Sequence, residues 1–180
     1  MYIEQITVII IIVLIIIIVF LYNTIIKYKN YVENAFYLID VNLQKRADLI
    51  PKLVELVKAY KNFEKELLEE ITEARSFVKN KKKDIWKERQ KSEEVIWSDL
   101  KEIFARAEDY PDLKSNENFL KLQKEISRTE ENLAAAREIY NSNLKILNTT
   151  KQTIPYNFIA RFMNIPNYNY FNVKLYNEKK

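Results

Sequence analysis

Residues 6–22 read ITVIIIIVLIIIIVFLY, seventeen positions interrupted only by Thr7. Val8 to Leu21 is unbroken and mostly isoleucine, and Ile25 and Ile26 extend the apolar character further. A membrane-spanning helix needs about 20 mainly apolar residues. Each central Ile, Leu or Val favours insertion by about 0.3–0.6 kcal/mol, so the run supplies roughly 4–8 kcal/mol, more than the one threonine costs. Isoleucine favours strands in water, but in lipid the backbone must satisfy its own hydrogen bonds, so a helix is expected. A cleaved signal peptide is the competing reading. It calls for a basic leader, a shorter apolar core and a small-residue cleavage site. The leader Tyr2-Ile3-Glu4-Gln5 carries no Lys or Arg, and Phe20-Leu21-Tyr22-Asn23-Thr24 has no small-x-small pattern. The segment therefore reads as an uncleaved, single-pass cell-membrane anchor over residues 1–26. Glu4 precedes the run, and Lys27 and Lys29 follow it, so the positive-inside rule puts the bulk of the chain in the cytoplasm.

Composition narrows what the remainder can do. The 180-residue chain has no cysteine, which excludes disulfides, Cys-zinc sites, thiol nucleophiles and thiol lipidation. It has no histidine, which removes the commonest general base and metal ligand. It has no glycine either. Phosphate-cradling loops and tight hairpin turns lean on glycine, so nucleotide binding and β-rich folds are disfavoured. The net charge of +4 is not gathered into a nucleic-acid footprint. Its densest run, Lys79 with Lys81, Lys82 and Lys83, reads as a solvated inter-helix turn, with anionic lipid or an acidic partner as the alternative.

Beyond the anchor the apolar period is helical. Tyr28, Tyr31, Val32, Ala35, Leu38, Ile39 and Leu43 form a first stripe running on from the span. Asp48 can cap a new helix with Pro51 in its first turn; a continuous helix kinked at Pro51 is the alternative. Leu49, Leu53, Val57, Tyr60, Phe63, Leu67, Ile71, Ala74 and Val78 form the second stripe, which fades at Asn80. A third helix is expected from about Asp84, with a polar, exposed first half (Lys87 to Glu94) and a stripe at Ile96, Leu100, Ile103, Phe104 and Ala107. Tyr110-Pro111-Asp112 breaks the pattern. A fourth helix runs from about Asn116 to Thr150 on Phe119, Leu122, Ile126, Leu133, Ala136, Tyr140, Leu144 and Leu147. A short helix follows around Asn157 to Met163. Short connections favour antiparallel neighbours. The expected fold is all-α: the transmembrane helix, an up-and-down antiparallel four-helix bundle over 27–165, and an irregular C-terminal tail over 166–180.

Three segments carry a resemblance. Gln44-Lys45-Arg46-Ala47-Asp48-Leu49-Ile50-Pro51-Lys52-Leu53-Val54 continues through Tyr60, with Thr72-Glu73-Ala74-Arg75 beyond it. Tyr110-Pro111-Asp112-Leu113-Lys114 leads to Asn116-Glu117-Asn118-Phe119, then Ala134-Ala135-Ala136-Arg137 and Tyr140-Asn141. Pro155 to Phe162 is the third. Together they resemble the LemA family of bacterial membrane proteins over nearly the whole chain. The resemblance implies a membrane-bound helical bundle and no established catalytic activity. The lack of glycine and the lysine-rich turn depart from the family pattern.

Some polar residues lie on the apolar stripes. Asn42 and Arg46 follow Leu38 and Ile39, Arg75 follows Ile71, and Glu130 and Arg137 interrupt the Ile126–Leu133–Tyr140 series. They form a candidate buried polar network, read first as a device fixing helix register and second as a ligand or partner pocket. Glu69, Glu70, Glu73, Glu130 and Glu131 could supply an all-oxygen metal site, but solvated helix faces explain them better. No catalytic, cofactor or metal residue and no small-molecule substrate is singled out. Tyr22 and Tyr28 suit the lipid–water boundary and Tyr31 suits the core. The C-terminal Tyr168, Tyr170, Phe171 and Tyr176 either pack back or recruit a partner. The expected function is a membrane-tethered scaffold or adaptor, not an enzyme, partnered by the bilayer and by a protein or a second copy. A self-associating structural protein of the bacterial envelope or membrane is the alternative.

Overall fold

The computed structural model describes residues 2–60, 65–79 and 86–171, without the side chains of 77–79 and 86–92. Every regular element among these residues is helical, and none is a strand. Helix α1 spans Tyr2–Lys58, α2 Lys65–Lys79, α3 Trp86–Arg106, α4 Pro111–Lys114, α5 Glu117–Gln152 and α6 Tyr156–Phe162. A single 3-10 turn, Ala107–Asp109, links α3 to α4.

Helix α1 runs through Asp48 and Pro51 without interruption, so the continuous alternative holds and Asp48 caps nothing. Its buried face is Leu21, Ile25, Val32, Ala35, Ile39, Leu43, Ala47, Ile50, Leu53, Val54 and Val57, alternating mostly in steps of three and four. Tyr31 and Leu38 fall beside that stripe and stay exposed at 44% and 47%, correcting the expectation that Tyr31 packs in the core. Tyr31 instead meets Tyr28 edge-on and lies under the Lys27 ammonium.

The second stripe does not sit on one helix. Helix α1 ends at Lys58, and Ala59 and Tyr60 turn off through N–H bonds to Leu56 and Val57 three residues back. No glycine or proline marks this end, so the helical period gave no warning of it. Tyr60 is held by tertiary bonds instead: its hydroxyl donates to the Asp112 carbonyl and accepts from Asn116 Nδ2. Phe63, Asn80, Lys81 to Lys83, Asp84 and Tyr176 lie outside the described residues. Tyr110-Pro111 opens α4, with proline in the first turn, where its missing N–H costs nothing. Asn116 caps α5, its Oδ1 accepting from the N–H groups of Asn118 and Phe119.

The chain divides into two compact units, 1–39 with 134–180, and 40–133. In the first, α1 and α5 lie antiparallel: Asn143 Nδ2 donates to the Tyr31 carbonyl, and Tyr140 meets Phe36 further along. The segment after α6 returns to this pair. Phe171 is buried between Phe36 and Tyr140, and the Asn141 side chain both donates to the Phe171 carbonyl and accepts its N–H at 2.9 Å each. Tyr140 donates to the Asn169 carbonyl and Tyr168 to Glu33. Residues 168–171 therefore pack back rather than hang free. In the second unit, α2 packs on α3 around Leu67, Leu68, Ile71, Ile96, Leu100 and Ile103.

Candidate functional site

The interior of unit 40–133 is apolar except for a few charged groups. Arg46 stands one turn after Leu43 and one before Ile50, in the core-facing register of α1, and is only 2% exposed. A guanidinium cannot lose its charge there, so it needs a carboxylate. Glu130, buried on α5, provides it: Nη1 of Arg46 lies 2.5 Å from Oε2 of Glu130. Beside it, Thr129 turns its hydroxyl onto the Ile126 carbonyl.

Arg75 on α2 is half-buried and does something different. Pro51 has no N–H, so the Ala47 carbonyl, four residues earlier in α1, loses its intrahelical donor. Nε of Arg75 donates to that carbonyl at 2.7 Å. The cross-helix bond makes good what the proline removes, and it ties α2 to α1.

Of the five candidate residues, the structure joins Arg46 to Glu130 and sets Arg75 on the carbonyl of the residue next to Arg46. Asn42 is half-buried on α1, one turn before Arg46. Arg137 is half-buried in the other unit, so it does not share a compact unit with the rest.

Two buried carboxylates escaped the sequence reading. Glu93 and Asp99 on α3 are 4% and 6% exposed. Glu93 lies in the half of α3 expected to be exposed, and its burial corrects that expectation. The signal was present: each stands three residues from Ile96, in core register. Oδ2 of Asp99 is buried with no hydrogen-bond donor among the described residues. Burial pushes the Asp99 carboxyl up to about 6, and Glu70 on α2 and Glu102 on α3 push the same way. Among the described residues, no three acidic side chains are grouped to hold a metal ion. An open groove of about 600 Å³ runs between the end of α1 and the start of α5, over Leu56 and Leu122, with Lys52, Glu55, Lys121 and Glu125 on its walls.

Comparison with known proteins adds a family. The LemA family model matches residues 35–180. Protein LemA of Metamycoplasma hominis is 29% identical over 149 residues, covering 81% of this chain and 66% of that protein. The chain thus spans just under two thirds of that relative's length.

Two predictions follow from the charged interior. Arg75→Leu should destabilise the protein by about 1–3 kcal/mol, because it strands a buried carbonyl. In a Pro51→Ala background, where an N–H returns to Ala47, the same substitution should cost clearly less. Denaturant unfolding in detergent measures both, and equal losses in the two backgrounds would reject the compensation. For Asp99, the folded pKa lies above the ordinary 3.8. Stability from this group is therefore full below about pH 4 and is lost as pH rises through about 6. Asp99→Asn should melt higher than the parent at about pH 7.5, with the gap closing by about pH 4. A gap that does not change with pH would contradict this.

Proposed function

The chain belongs to the LemA family, and we propose that it is a membrane-anchored helical scaffold that works through protein contacts of its cytoplasmic helices. One observation carries this reading. From Val8 to Phe20 every side chain keeps 45–63% of its surface exposed, on a helix that continues unbroken to Lys58. Left in water, such side chains forfeit about 1.5–3 kcal/mol each of burial free energy. α1 is a helix long and apolar enough to cross a bilayer, and a bilayer would cover that surface. The proposed anchor is residues 1–26, single-pass, with Lys27 and Lys29 on the cytoplasmic side.

Residues 27–165 make up the proposed working part, an up-and-down four-helix arrangement with 166–180 as a tail. Its support is the antiparallel pairing of α1 with α5 in one unit and the packing of α2 on α3 in the other. A scaffold needs a fixed surface more than a reactive centre. The ion pair and the Arg75 bond serve fixity, and the lack of histidine and cysteine leaves little for acid–base or thiol chemistry.

The expected outcome in cell membranes is retention through high-salt and carbonate washes, and release on deletion of residues 2–26. Cross-linking in those membranes, read by mass spectrometry, should capture a defined protein through residues 27–165. Carbonate release of the intact chain would remove the anchor. A turnover abolished by one point substitution among the helices would replace the scaffold with an enzyme.

A further inference from the structure

Helix α6 is built the wrong way round for water. Phe158 and Phe162 stand one turn apart on α6 and are 63% and 90% exposed, and Ile154, two residues before the helix, is 71% exposed. Arg161 and Pro155 are exposed as well, whereas Asn157, Ile159 and Ala160 are half-covered. The helix has no fully buried residue. A surface helix normally turns its apolar side inward, so this outer side needs an apolar cover.

The position of α6 indicates what the cover is. All of α6 and residues 2–39 of α1 lie in one compact unit. There α5 runs antiparallel to α1, with Asn143 on Tyr31. Nine residues on from Asn143 is Gln152, the last residue of α5; nine back from Tyr31 is Tyr22. At equal rise per residue the two are level. Protein cover on α1 stops at the same place: Ile25 and Leu21 are buried, while Phe20 and every described residue before it are exposed. Residues 153–162 therefore emerge where the apolar run ends and where Tyr22 suits the lipid–water boundary.

We propose that α6 is a second, interfacial membrane contact, with Ile154, Phe158 and Phe162 set into the outer few ångströms of the acyl region and Arg161 among the lipid phosphates. Exposed aromatic and aliphatic side chains beside a cation are the pattern that binds in the plane of a bilayer surface. This inference rests on the anchor reading, because without a span within residues 1–26 there is no bilayer at that level.

The chain lacks cysteine, so single-cysteine variants can carry an environment-sensitive fluorophore without background. Phe162→Cys and Phe158→Cys report on α6, Ile12→Cys on the span, and Glu138→Cys on an exposed site of α5 distant from both. The full-length protein is reconstituted in vesicles of phosphatidylcholine with a minor share of phosphatidylglycerol. Nitroxide lipids labelled near the headgroup or near the chain end serve as quenchers. Position 162 should be quenched several-fold more than 138 by the shallow quencher and little by the deep one, with 158 behaving alike. Position 12 should respond to the deep quencher. If 158 and 162 match 138 while 12 is quenched, the anchor stands and the inference fails. If aqueous iodide is also kept from 158 and 162 without lipid quenching, protein covers α6 and the inference fails again. If 12 escapes both lipids, the anchor and the inference fall together.

Discussion

A positive charge that cannot be neutralised sits inside unit 40–133, and the packing around it depends on how that charge is matched. Arg46 occupies a slot that the steps of α1 would otherwise give to an aliphatic side chain, and Glu130 answers it from α5, 84 residues away in sequence. Apolar surfaces alone tolerate a slip of one turn, since leucine meets leucine either way. A buried ion pair does not. Displacing either partner breaks a buried ion pair, at a cost of about 3–5 kcal/mol. The pair is thus expected to select one register of α1 against α5 while adding little net stability beyond what two leucines would give.

The same unit carries other polar costs that are met or left standing. Pro51 removes a donor about two turns before the end of a 57-residue helix, and Arg75 returns one from a neighbouring helix. Asp99 is not compensated in that way: burial and two nearby carboxylates oppose its ionisation near neutral pH. These groups constrain which helices meet and where.

Much of this was legible in the residues. The apolar run, the helical class, the break at Tyr110-Pro111 and the long helix after Asn116 all follow from period and turn chemistry. Arg46 and Glu130 stood out because a charge at core spacing violates the pattern. The structure added what depends on three dimensions. The end of α1 at Lys58 has no local signal; Tyr60 is held by residues more than fifty positions away. Arg75 belongs to the candidate polar network by its spacing, and its bond is to a backbone carbonyl freed by a proline. The exposed side of α6 could not be read before its level against Tyr22 was known.

The claim that Arg46 and Glu130 set the helix register is tested most directly by a double-mutant cycle on the full-length protein in detergent. Arg46→Met and Glu130→Leu, each alone, should destabilise strongly by breaking the buried ion pair, and the two together should recover most of the loss. Losses that simply add would mean the two charges are not coupled in the folded protein, and the register would have to be set elsewhere.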